Sequence, residues 1–126
     1  MLNETPAFSG FSTKDIEKSK DFYANKLGLE VTESEMGILQ VKTKGNNPFV
    51  IYPKDNHVPA TFTVLNFSVK EIEPAVDQLI AKGISFKQYD DPIKTDEKGI
   101  CWANEGPNIA WFEDPAGNIL SIIEGE

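Results

Sequence analysis

The hydrophobic pattern along this chain switches between two periods, and it does so twice in the same order. Residues 8–13 and 61–69 are rich in aromatic and β-branched side chains, the composition of strands. Each is followed by a segment of helical spacing. In the first, Ile16, Ser19, Phe22, Tyr23 and Leu27 recur on one face; in the second, Ile72, Ala75, Val76, Leu79 and Ile80 do so. The pattern predicts helices over 15–27 and 71–83. Asp15 and Glu71 put acidic charge where a helix dipole favours it, and Gly28 and Gly83 stand where the helices should stop. Pro74 falls in a first turn, where a missing N–H costs little. Shorter strand patterns follow each helix, at 29–32, 38–43 and 48–52, then at 84–89, 99–103, 108–112 and 119–123. Gly, Asn, Asp and Pro clusters at 44–47, 105–107 and 114–118 are turn chemistry.

The two passes are related in sequence as well as in pattern. Phe11, Ser12, Lys14, Ile16, Glu17, Asp21 and Lys26 recur as Phe67, Ser68, Lys70, Ile72, Glu73, Asp77 and Lys82, always 56 positions later. Identity clustered at a strand end, a helix start and a helix body points to a duplicated unit. The fold expectation is therefore α+β: two tandem βαβββ modules, with curled mixed sheets around a cavity. The modules span 6–53 and 61–126, joined by a polar linker at 54–60. A single domain over 1–126 is expected, because one helix and one small sheet per module give neither half a large core of its own.

Composition narrows the function classes. The chain has 126 residues, is 40% hydrophobic and 25% charged, and carries a net charge of −8. That balance suits a globular domain and opposes binding to a phosphate backbone, so no nucleic-acid partner is expected. No apolar run reaches the roughly 20 residues needed to cross a bilayer, and the N-terminus has no signal-peptide pattern. No membrane association and a cytoplasmic location follow as expectations. The one cysteine, Cys101, lies in an apolar segment and reads as a small buried hydrophobe. The one histidine, His57, falls in the polar linker and reads as a solvated surface residue, without which no Ser-His-Asp set is possible. Asp90, Asp91, Asp96 and Glu97 form an acidic loop that reads as solvated. No phosphate-binding glycine motif occurs.

Phe11-Ser12-Thr13-Lys14-Asp15-Ile16-Glu17, then Phe22-Tyr23 and Leu27-Gly28, resembles the opening module of the vicinal oxygen chelate superfamily. That group includes glyoxalase I, extradiol dioxygenases, and bleomycin- and fosfomycin-resistance proteins. The closing Phe112-Glu113-Asp114-Pro115-Ala116-Gly117-Asn118-Ile119 resembles its final hairpin. In catalytic members a divalent metal is held by side chains from four strands. The resemblance puts those positions at Phe8, Tyr52, Val64 and Ser121 in this chain. A metal needs imidazole, carboxylate or thiolate donors. Phe and Val supply none, a hydroxyl is weak, and a neutral phenol is a poor ligand. No metal and no cofactor are therefore expected, and metal-dependent catalysis is disfavoured.

The expected occupant of the cavity is a small neutral or aromatic ligand. Phe8, Tyr52, Val64, Asn66, Trp102, Trp111 and Ser121 are the candidate contacts, with Asn66 and Ser121 as hydrogen-bonding groups and the tryptophans as stacking surfaces. The leading reading is a metal-free binding protein that sequesters a drug or metabolite. An enzyme of lyase or dioxygenase type with an atypical site, and a subunit or regulator with a vestigial cavity, remain as alternatives. Related proteins pair to complete their cavities, so a homodimer is expected.

Overall fold

The computed structural model describes residues 1–125, and the chain divides into two compact units, Met1–Val58 and Pro59 onward. The first unit opens with a short 3-10 turn, Leu2–Glu4, and then runs β1 (Gly10–Thr13), α1 (Ile16–Asp21), a π-helical turn (Phe22–Lys26), β2 (Glu30–Glu33), β3 (Leu39–Lys42) and β4 (Phe49–Pro53). The second runs β5 (Thr63–Val69), α2 (Ile72–Ala81), β6 (Ile100–Cys101), β7 (Ile109–Glu113) and β8 (Ile119–Glu124). Each unit forms one four-stranded mixed sheet. The orders are β1-β4-β3-β2 and β5-β8-β7-β6, so the first strand of each unit lies parallel to its last. The fold is α+β with two βαβββ-type units, as the repeat predicts.

Alternation decides which face of each strand is buried. In the first unit Phe11, Thr13, Leu39, Val41, Phe49 and Ile51 pack under Ser19, Phe22 and Tyr23. The rings of Phe11 and Phe49 stack at 5.8 Å, and Tyr23 meets Phe22 edge-on at 5.2 Å. Polar contacts also enter this core: Ser19 Oγ donates to Thr13 Oγ1 at 2.8 Å and Thr13 Oγ1 to Asp15 O at 3.5 Å, so neither buried hydroxyl is left unpaired. In the second unit Ile72, Val76, Ile84, Ile100, Ala110, Phe112, Leu120 and Ile122 form the equivalent core.

The helix ends follow the sequence signals only in part. Asp15 caps α1 by accepting from Lys18 N at 3.1 Å. Glu71, its counterpart, makes no such bond. Glu124, at the end of β8, takes over: it accepts from Ile72 N at 2.9 Å and, through its other oxygen, from Asn108 Nδ2 at 2.9 Å. The first helix does not run regularly to Leu27, because it widens into a π turn from Phe22 and closes with Leu27 N donating to Phe22 O. Gly28, at φ +70°, then reverses the chain.

Three strand expectations are corrected. Residue 8 does not belong to β1. The ladder stops at Ser9, whose carbonyl accepts from Val50 N, while Asn47 Nδ2 takes the carbonyl of Ala7. Residues 84–89 form no strand: Phe86 bridges Phe112 and Lys87 N bonds to Trp111 O, but Tyr89 then pairs with Thr95 through backbone and hydroxyl. A local loop contact outcompetes the sheet edge there. Of residues 99–103 only Ile100 and Cys101 join the sheet, alongside Ala110 and Ile109.

The β7–β8 turn is fixed by its own side chains. Asp114 Oδ1 accepts from Ala116 N and Asn118 N, both at 2.9 Å, and Oδ2 accepts from Asn118 Nδ2 at 3.0 Å. Both side chains are buried with their bonding groups paired, and Gly117 supplies the positive φ that the turn requires. The hairpin sets the register that aligns β7 with β8.

Candidate functional site

The helix-free face of the second sheet collects the groups that point to recognition. Asn66 on β5 pairs in register with Ser121 on β8, and Ser121 pairs with Trp111 on β7. These three side chains form one row across three adjacent strands, roughly 10 Å from end to end at the usual strand spacing. Ser121 is fully buried, and its hydroxyl donates to Asn66 Oδ1. Trp111 meets the ring of Tyr89 edge-on, with centroids 5.5 Å apart and planes at 88°. Lys87 lies 5.9 Å over the Tyr89 ring and donates to Glu113. That hydrogen bond to Glu113 raises the Lys87 pKa, against a smaller opposing effect of burial. The row thus runs from an amide through a hydroxyl to an aromatic corner, closed off by an ion pair. It offers stacking surface and hydrogen-bonding groups, and the carboxylate at its end, Glu113, is held in the ion pair with Lys87.

The first sheet has a comparable face. Ser12 on β1 pairs with Tyr52 on β4, and Gly10 pairs with Val50. Tyr52 is 40% exposed. Ser12 Oγ lies 2.6 Å from His57 Nδ1. His57 is therefore half-buried and held by a strand, not a solvated linker residue. Sequence spacing gave no hint of this bond, because the partners are 45 positions apart.

The remaining sequence candidates are scattered. Phe8 precedes β1 and is 69% exposed. Val64 falls within a β-bulge between Thr63 and Leu65, where the register against β8 shifts and it has no ladder partner. Trp102 lies beyond β6, half exposed, and donates from Nε1 to Asp96 Oδ2 at 2.8 Å. Cys101 is only half-buried, with its thiol donating to Ile93 O at 3.0 Å; the neighbouring Ile100 takes the core position instead. Tyr89 was not among the candidates. Residues 84–89 form no strand, so alternation gave no signal for its place beside Trp111.

Asp96 organises the loop that carries Trp102, so it is not simply a solvated acid. It accepts from Lys98 N and Ile100 N, each at 2.9 Å, as well as from the indole. Burial opposes its charge, but the bonds from Trp102, Ile100 and Lys98 outweigh burial and lower its pKa. A carboxyl depressed in the folded state stabilises that state above its unfolded pKa of about 3.9, and the contribution is lost as pH falls through the folded value. Trp102 emission in a Trp111→Phe background should therefore hold steady from pH 6 to 4 and change only below about pH 3.9. A transition centred above pH 5, or the same transition in Asp96→Asn, would contradict this assignment.

Phe8, Tyr52, Val64 and Ser121, the positions that the resemblance matches to metal ligands, carry no imidazole, carboxylate or thiolate. They carry a phenyl ring, a phenol, an isopropyl group and a hydroxyl that already donates to Asn66. Among the described residues no three His, Cys, Asp or Glu side chains come together as a potential ligand set.

Comparison with known proteins places this geometry in a family. Residues 8–122 match the family described as the Glyoxalase/Bleomycin resistance protein/Dioxygenase superfamily. The uncharacterized protein YwkD of Bacillus subtilis (strain 168) is 31% identical over 123 residues, covering 87% of this chain and 88% of that protein. Among solved structures, a superfamily member from Sphaerobacter thermophilus aligns with a TM-score of 0.75 at 21% identity, over 99% of this chain and all of the other. TnmS3, an antibiotic binding protein from Streptomyces sp. CB03234, aligns with a TM-score of 0.67 at 21% identity, over 98% of each chain. The chain belongs to the Glyoxalase/Bleomycin resistance protein/Dioxygenase superfamily.

Proposed function

We propose that this chain is a small-molecule binding protein that recognises a neutral or aromatic ligand without a metal. The observation that carries the reading is the row Asn66–Ser121–Trp111 with Tyr89 packed against its end. Ser121 stands where a catalytic relative would present a metal-binding carboxylate, and here it is bonded to an amide. An anionic chelating substrate would find no cation to bind, and a protein of net charge −8 offers it no general attraction. A planar apolar guest gains by burying surface against the aromatic corner, at about 25 cal/mol per Å² before the costs of association. A fold shared with an antibiotic binding protein is consistent with a sequestering role.

A thermal-shift screen of metal-stripped protein against planar aromatic, drug-like and metabolite ligands tests the reading. Binding stabilises by mass action, so ligands at about 100 times Kd should add roughly 2.7 kcal/mol and visibly raise Tm. A broad panel that leaves Tm unchanged would sink the proposal. The same reading includes pairing of two copies. Phe8 and Phe62 are large apolar residues left 69% and 68% exposed, and each sheet ends in short edge strands. Sedimentation velocity at tens of micromolar should give a dimer, and a monomer there would count against pairing.

A further inference from the structure

The hydrogen bond inside the Asn66–Ser121–Trp111 row fixes which end of the Asn66 amide is presented outward. Ser121 Oγ donates to Asn66 Oδ1. A serine hydroxyl has one proton, and here it is committed to the amide oxygen. With Oδ1 turned to Ser121, the planar amide carries Nδ2 on its other branch, away from the serine. That nitrogen has two N–H groups and no acceptor capacity. Among the described residues it has no hydrogen-bond partner. Asn66 is exposed, whereas Ser121 is fully buried. A free asparagine side chain can offer either end, but this one is held as a donor.

The surface beside the amide is apolar. Ile119 and Ile123 flank Ser121 on the same face of β8, and Ile109 on β7 is the register partner of Ile123. All three isoleucines are half-buried. The far end of the row is the ring of Trp111, backed edge-on by Tyr89. Lys87, the cation at this corner, is neutralised by Glu113, which leaves the corner no net charge to attract a carboxylate.

We propose that Asn66 is the specificity-determining residue of the row and selects a hydrogen-bond acceptor, so that the ligand class is a planar aromatic bearing a neutral carbonyl, such as an aryl ketone, ester or amide. The ring lies on Trp111 and the isoleucine surface, and its carbonyl oxygen accepts from Asn66 Nδ2. Ser121 is a positioning residue: it is too buried to meet the ligand and holds the amide in its donor orientation. The inference rests on the metal-free binding reading and adds the polarity of the ligand and the group that reads it.

NMR titration at pH 7 with two probes of matched shape tests it. In 2-acetylnaphthalene the side group ends in C=O; in 2-isopropenylnaphthalene it ends in C=CH2. The ketone should bind about fivefold more tightly, the discrimination expected from one hydrogen bond, and should shift the Asn66 side-chain NH2 signals. The alkene should shift the Trp111 indole signal and leave the Asn66 NH2 signals in place. Asn66→Ala should bring the ratio to near one with alkene affinity within about twofold of wild type, and Asn66→Asp should invert it, because a carboxylate repels the carbonyl. Ser121→Ala should lower the ratio without weakening the alkene, and Ser121→Thr should restore it; a merely structural serine would change both affinities together. A wild-type ratio near one, with both probes shifting Trp111, overturns this inference and leaves the general binding reading standing. A fivefold ratio that persists in Asn66→Ala also overturns it, and one that persists in Ser121→Ala overturns the positioning role. If neither probe moves any signal of Trp111 or Asn66, the inference and the binding reading fall together.

Discussion

Phe112→Ala is expected to destabilise the protein by about 3–5 kcal/mol, the largest effect of any single truncation considered. Phe112 is fully buried, sits opposite Leu120 in the β7–β8 ladder, and meets the ring of Phe86 edge-on at 5.4 Å. It also bridges Phe86 through the backbone, which makes it the point where the irregular segment after α2 is tied to the sheet. Removing the ring loses its transfer energy and leaves a void that the flanking strands, paired on both sides of β7, cannot close. Chemical denaturation should show the full loss as a lower midpoint. A cost below about 1 kcal/mol would mean that this side of the second sheet is not packed as described.

Trp111→Ala, one residue earlier on the opposite face, should reverse the balance between stability and binding. Affinity for a planar aromatic ligand should fall about tenfold, since a stacked aromatic pair contributes roughly 1 kcal/mol beyond its buried area and the area is lost as well. The folding cost should be smaller than at Phe112, because Trp111 is only partly buried. Trp102→Ala is the useful contrast. Its indole is held by Asp96 outside the Asn66–Ser121–Trp111 row, so its removal should leave affinity within about twofold of wild type. Titration by calorimetry on the two variants checks both statements. Equal losses at the two tryptophans would show that the row is not the binding surface.

The two faces of the sheets were legible in the sequence to different degrees. Alternation sent Phe11 and Thr13 to the core and Ser12 to the other face, because a strand has a period of two. The same rule placed Ser121 opposite Leu120 and Ile122, and turn chemistry located the Asp114–Asn118 hairpin. The repeat at 56 positions carried both helices and the order of elements in both units, since one unit's solution was written twice.

What was not legible depended on contacts remote in sequence or on local competition. The cap on α2 comes from Glu124, which is 52 positions away from Ile72. A propensity reading of residues 84–89 could not foresee that Thr95 would draw Tyr89 out of the ladder. The bulge at Val64 breaks the alternation that the strand rule assumes, and counting along the chain misplaces a side chain wherever a residue is inserted. His57 was misread because its partner is also remote in sequence: a linker position says nothing about which strand the side chain can reach.

The central claim, recognition of a small molecule without a metal, is tested most directly by one titration performed twice. A ligand identified by thermal shift is titrated against protein stripped with a chelator, and again against protein loaded with zinc or manganese and desalted, with bound metal quantified in each sample. The account predicts the same Kd in both and far less than one metal per chain after desalting. Near one metal per chain, with affinity or turnover that appears only in the loaded protein, would contradict it.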